Sequence, residues 1–170
     1  MYNGLQIMEL ENIYDSSNRV VEQKTADGCK LFFKYNDTTL ETTFIEKNGE
    51  VQIYRKDSMG RVFEREYLSG TEKMKFNEKS QIAGYTDKKG NIYKYEYDEA
   101  GNICKEINPL GEVNEYIYDS MGNMIKTVDP EGNISGYFYD EYGNVQATID
   151  PEGRVVRTEY NETGNMTKLI

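Results

Sequence analysis

Asp98, Asp119 and Asp140 recur at intervals of 21 residues, and Asn161 continues the column. Carboxylates stacked at a fixed period can hold calcium between successive units of a repeat protein. Each of these aspartates, however, stands first in a four-residue segment that closes on glycine, at Gly101, Gly122 and Gly143. An Asp side chain at the start of such a segment and a glycine free to take positive φ at its end are what a tight turn needs. The column therefore reads as turn chemistry, and no metal or cofactor site is expected. Glu64 with Glu66, and Glu9 with Glu11, place two carboxylates on one face of an extended strand. Acid–base catalysis also needs surroundings that separate their pKa values, and nothing in the sequence marks such a cleft.

Nucleophilic catalysis has less support still. The chain contains no histidine, so no Ser-His-Asp or Cys-His arrangement can form. Cys29 and Cys104 sit at different offsets in distant parts of the chain, a spacing that fits neither a disulfide framework nor a metal cluster. The expectation is a protein that is not an enzyme. Fifteen tyrosines remain as candidate chemistry. Tyr95, Tyr116 and Tyr137 form one column, and Tyr97, Tyr118, Tyr139 and Tyr160 another. Exposed rings on a rigid sheet could stack on sugars, whereas rings that meet their neighbours would form a packed spine. Tryptophan, usually the strongest sugar-stacking side chain, is absent.

A net charge of −10 argues against binding to a phosphate backbone, so nucleic acid is not an expected partner. No apolar run is long enough for a spanning helix, and Met1–Leu5 lacks the basic and apolar regions of a signal peptide. A secreted or cell-surface location would require an address elsewhere in a larger protein.

The elements that carry these residues follow from a 21-residue repeat. Glycines at 28, 49, 70, 90, 111, 132 and 153 mark the period, with one step shortened to 20. In the segment from Gly111 to Gly132, Glu112–Tyr118 alternates Tyr116 and Tyr118 against Val113, Glu115 and Ile117, the period of a strand. Asp119-Ser120-Met121-Gly122 then reverses the chain. Asn123–Val128 alternates again, with Met124, Lys126 and Val128 sharing a face, before Asp129-Pro130-Glu131-Gly132 makes the next reversal. Pro109, Pro130 and Pro151, all the prolines in the chain, occupy this same second turn position, where φ near −65° is wanted. Each repeat is therefore a β-hairpin.

Columns of Ile92, Val113, Ile134 and Val155, and of Ile103, Met124, Val145 and Met166, accompany the tyrosines. The predicted fold is all-β: tandem hairpins forming a long, twisted and coiled antiparallel sheet. One array of about eight units spans residues 1–170, divided as 7–27, 28–48, 49–69, 70–89, 90–110, 111–131, 132–152 and 153–170. The first half departs from the pattern. Asn18 replaces a turn glycine, Lys56 stands where tyrosine is expected, and Thr39 predicts a different turn because β-branched residues disfavour positive φ. The short segment from Gly70, with Asn77-Glu78 at the Tyr-Asp offset, predicts a disturbed register.

Gly, strand, Tyr-Asp, two residues, Gly-Asn or Gly-Arg, a second strand and a turn such as Asp-Pro-Glu-Gly resembles the YD-repeat, or RHS-repeat, family over nearly the whole chain. That family includes bacterial RHS polymorphic toxins, wall-associated proteins, the B and C shell subunits of Tc toxins and the teneurins. The resemblance implies a segment of a spiral β-shell that encloses or presents a toxin effector within a larger secreted or cell-surface protein. Its implied partners are the rest of the parent polypeptide or the enclosed effector. Sixteen strands at about 4.8 Å spacing would make a strip roughly 75 Å long, with edges open to self-association. The alternative is an extracellular carbohydrate- or protein-binding module that uses tyrosine-rich sheet surfaces.

Overall fold

The computed structural model describes residues 10–170. Glu9, one of the paired carboxylates considered above, lies outside the described residues. These residues fall into two compact units, the first ending at Asn91 and the second running from Ile92 to Ile170.

In the first unit the strands are β1 (Glu11–Tyr14), β2 (Val20–Lys24), β3 (Lys30–Asn36), β4 (Glu41–Ile45), β5 (Val51–Lys56), β6 (Val62–Tyr67), β7 (Gly70–Phe76) and β8 (Ile82–Thr86). Each pairs antiparallel with the next along the chain. The second unit has the same plan: β9 (Ile92–Tyr97), β10 (Ile103–Ile107), β11 (Val113–Tyr118), β12 (Met124–Val128), β13 (Ile134–Tyr139), β14 (Val145–Ile149), β15 (Val155–Tyr160) and β16 (Met166–Leu169). β-branched and aromatic residues dominate these strands, and turn chemistry interrupts them at short intervals, so pairing between sequence neighbours closes each hairpin at the lowest loop-entropy cost.

A one-residue register shift recurs inside the hairpins. In β11–β12, Ile117 faces Lys126 but Tyr118 faces Met124, which leaves Ile125 as the extra residue of a bulge. The same shift places Tyr97 opposite Ile103, Tyr139 opposite Val145 and Tyr160 opposite Met166. Strict alternation had grouped Met124 with Lys126 and Val128. Instead the bulge sets Met124 across from a tyrosine, and the Ile103, Met124, Val145 and Met166 column pairs with the tyrosine column.

The β3–β4 hairpin closes without a shift, through Tyr35↔Thr42 and Asn36↔Glu41, and its positive-φ residue is Leu40 at 55°. In the short segment the register is not disturbed. Phe76 faces Ile82 with the same bulge as its counterparts, Asn77 starts the turn, and Ser80 takes the glycine place at φ 65°. The missing residue is removed at the preceding turn, where Tyr67 and Gly70 pair directly around Leu68 and Ser69. A turn can shorten by exchanging one loop type for another, whereas a slip inside a strand would turn every following side chain to the wrong face.

Among the described residues neither unit carries a second layer of secondary structure over its sheet. Among the described residues Met74, 7% exposed, is the buried hydrophobic side chain. Most strand tyrosines are half-buried by their neighbours within the sheet, whereas many aliphatic residues stay exposed, among them Ile92, Ile134 and Leu169.

Candidate functional site

Turns and tyrosines, the two repeating features, are joined by hydrogen bonds. In the turn after β11 the Asp119 N–H donates to the Asn123 carbonyl at 2.9 Å, and the Gly122 N–H donates to the Asp119 carbonyl at 3.1 Å. The carboxylate completes the loop: Asp119 Oδ1 accepts from the Met121 and Asn123 N–H groups, each at 2.9 Å, and Oδ2 accepts from Asn123 Nδ2 at 3.1 Å. Gly122 has φ 86°, the value of a type I turn closed by a glycine bulge. Asp98 with Asn102 and Asp140 with Asn144 repeat this arrangement around Gly101 and Gly143.

The turns between hairpins use the same chemistry. Asp129 accepts from Glu131, Asn133 and the Asn133 amide, and Asp150 does so from Glu152 and Arg154. Pro130 and Pro151 each follow their aspartate, where no N–H is needed. Pro109 follows Asn108, whose side-chain oxygen accepts from Leu110 and Glu112. The sequence motif includes the residue after the glycine, Asn or Arg, but gave it no role; the structure shows its side chain donating to the turn carboxylate. The recurrent Gly-Asn and Gly-Arg pairs carried that signal.

The Asn102, Asn123 and Asn144 amides, with the backbone N–H groups, hold the Asp98, Asp119 and Asp140 carboxyls below the usual carboxylate range. A carboxyl whose pKa is depressed in the folded state contributes stability above its unfolded pKa of about 3.9 and loses it as pH falls through the folded value. Acid is therefore expected to loosen the second unit below about pH 4. Replacing Asp98, Asp119 and Asp140 together by Asn keeps the backbone-facing acceptor, as Asn108 and Asn161 do in their own turns. The variant should melt below the parent at pH 7 in circular dichroism melts, because it lacks the charge and the second acceptor oxygen that the Asn amides hold, and should lose less on acidification. Identical acid profiles would contradict this account.

Three tyrosines of the second column, and Tyr35 of the first unit, each tie their hairpin to the one before it. The Tyr118 hydroxyl donates to the Ile103 carbonyl at 3.0 Å, Tyr139 to Met124 at 2.8 Å and Tyr160 to Val145 at 2.9 Å. Tyr35 reaches Val20 in the first unit in the same way, at 2.8 Å. Every acceptor lies where the preceding hairpin's register shifts, the place at which a bulge interrupts the ladder. A hydroxyl at that point satisfies a carbonyl that phenylalanine could not. Tyr97 lies in the same column, opposite Ile103.

In the other column Tyr116 donates to Glu106 Oε2 at 3.1 Å, Tyr95 faces Glu106 and Tyr137 faces Thr148. Burial pushes the Tyr95, Tyr116, Tyr118 and Tyr139 hydroxyls above their ordinary pKa. All seven of these tyrosines are half-buried rather than presented to solvent.

The Glu64 and Glu66 carboxylates are brought together by a cation. Arg55 pairs with Glu41 at 2.8 Å, with Glu66 at 2.8 Å and with Glu64, and Lys73 pairs with Glu64 at 3.0 Å. Register puts Glu41, Arg55, Glu64 and Lys73 directly opposite one another on β4 to β7. Lys73 first, and then Arg55, lower the Glu64 pKa, the reverse of what a general acid requires. Cys29 donates to Asp27 at 2.6 Å and is far in sequence from Cys104, which is the extra residue of the β9–β10 bulge. Among the described residues no group of three or more potential metal ligands converges.

The family model described as teneurin YD-shell matches residues 1–169. No curated protein matches the sequence. Solved structures similar to this chain include a TcdB2-TccC3-Cdc42 crystal structure, with TM-score 0.69 and 16% identity over 91% of this chain and 10% of that one. TcdB2-TccC3 without its hypervariable C-terminal region aligns with TM-score 0.69 and 15% identity over 96% of this chain and 10% of the other. The Photorhabdus luminescens Tc holotoxin pore aligns with TM-score 0.61 and 16% identity, covering 95% and 11%. The chain thus spans about a tenth of the structures it resembles, and at these identities the likeness is one of fold.

Proposed function

The chain belongs to the teneurin YD-shell family, and from that membership we propose that it is a length of non-catalytic shell wall in a larger polypeptide. Its eight repeats act as a single array, secreted or displayed at the cell surface, and the wall encloses or presents a polypeptide effector. One observation carries this reading. A self-contained domain of 170 residues buries a substantial core, whereas Met74 is the buried hydrophobic side chain among the described residues. Sheets held by turns, tyrosine hydroxyls and cross-strand pairs, with so little interior of their own, suit a wall that gains cover from what it surrounds.

Small-angle scattering with a parallel mass determination tests the proposal. A wall segment should give a radius of gyration above roughly 22 Å or self-associate, whereas a chain folded around its own core should be a monomer near ~15 Å. The latter result would favour the carbohydrate- or protein-binding module. That second reading needs exposed rings, and the seven tyrosines are half-buried. Tyr116→Ala and Tyr137→Ala are expected to lower the melting temperature without removing any saturable glycan binding. Loss of such binding in a folded variant would restore the binding-module reading.

A further inference from the structure

The two faces of the second unit differ in charge and cover. Register and alternation put the tyrosines on one face, whose strands contribute no Lys or Arg. Lys94, Lys105, Lys126, Arg157 and Lys168 all lie on the other. That face also keeps large apolar side chains open to solvent, with Phe138 52% and Ile134 48% exposed. Lys105 and Lys168 pair with glutamates across the sheet, but Lys126 and Arg157 make no ion pair among the described residues. Unpaired cations in a chain of net charge −10, set among exposed aliphatic residues, mark this face as unfinished.

Its centre is bare. Gly136 lies between Lys126 and Ile149 on neighbouring strands, and Ala147 lies between Phe138 and Arg157. Equivalent positions in other repeats hold Lys94, Glu115 and Arg157. Neither backbone nor crowding demands glycine here. Gly136 is not among the positive-φ residues, and an added Cβ would meet its nearest neighbour, the Phe138 ring, at an ordinary 3.8 Å. A glycine inside a strand with no internal cause commonly marks the close approach of another backbone.

We propose that the Gly136–Ala147 dip, flanked by Lys126 and Arg157 and walled by Phe138, docks an extended polypeptide segment with carboxylates at positions i and i+4 around an aliphatic residue at i+2. β12 and β15 are three strand spacings apart and Arg157 stands two residues along from the row of Lys126, Gly136, Ile149 and Val155, so the two cations are roughly 16 Å apart on the backbone. Four extended residues cover about 13 Å with i, i+2 and i+4 on one face, and the long Lys, Arg and Glu side chains span the remainder. The central aliphatic side chain meets Phe138 over the bare floor, and the two carboxylates meet the free cations. This deepens the enclosure reading and rests on it, by naming the face and the chemistry of the segment it takes.

The test is fluorescence anisotropy of the full chain with a labelled peptide, Ser-Thr-Glu-Ser-Val-Ser-Glu-Thr-Ser, beside versions with Lys for Glu or Ser for Val. The acidic Val peptide should bind at least tenfold more tightly than either control. Gly136→Val, whose side chain favours a strand, should keep or raise the melting temperature and weaken binding at least tenfold. Lys126→Glu should weaken it with the fold intact, and Tyr137→Phe should not. Equal binding by Gly136→Val, or by the Lys peptide, would overturn the proposal. So would binding to phosphatidylserine vesicles but not to the peptide, or a dimer that Gly136→Val dissolves and the peptide does not compete with. If the peptide fails to bind a chain that scatters as an elongated species, the docking inference fails and the wall reading stands.

Discussion

Gly70→Ala should lower the stability of the first unit by about 3 kcal/mol, the largest effect expected of any one-carbon change in this protein. Gly70 has φ 136°, a region that side-chain-bearing residues rarely enter, and a Cβ built there would lie 2.5 Å from the Lys88 backbone oxygen. Backbone cannot rotate away as a side-chain end can, so the two-residue Tyr67–Gly70 closure must open. For a unit that ends at Asn91 such a loss corresponds to a fall of roughly 12–24 °C in its melting transition. Gly122→Ala is the control. Its φ is 86°, but an added Cβ meets nothing within 4 Å, so only the left-handed conformation is penalised, by about 1 kcal/mol. Calorimetry of the two variants should order them clearly, and equal shifts would mean that crowding at Lys88 is relieved without cost.

Met74→Ala should come next, at about 2 kcal/mol, the lower end for a buried methionine because a single-layer sheet can settle into the gap. Met74 faces Tyr85 on β8 and is the point in the described residues where side chains close over one another. Phe138→Ala removes a larger side chain that is already 52% exposed, so its effect on the melt should stay below about 1 kcal/mol. A greater loss at Phe138 than at Met74 would show that the apolar face of the second unit is covered in solution.

Much of the architecture is written in local sequence. Asp119, Gly122, Pro130 and Gly132 act through φ preference and hydrogen bonds within five residues, so their types alone announce two reversals and the strands between them. The bulge at Ile125, the reach of Tyr118 to Ile103 and the Glu41–Arg55–Glu64–Lys73 row were not legible in that way. Each depends on the register between strands, and one residue of slip exchanges every cross-strand partner. The same dependence explains the short segment from Gly70, whose missing residue could have been absorbed in a strand or in a turn. Pairing Tyr67 with Gly70 chose the turn.

By itself the sequence determined that the chain is a series of antiparallel hairpins, because alternation and turn residues act locally and repeat. Tertiary structure alone decided which face closes over its tyrosines and which stays open around Gly136. Cover depends on what the neighbouring strand places opposite each residue, and that is a property of the assembled sheet.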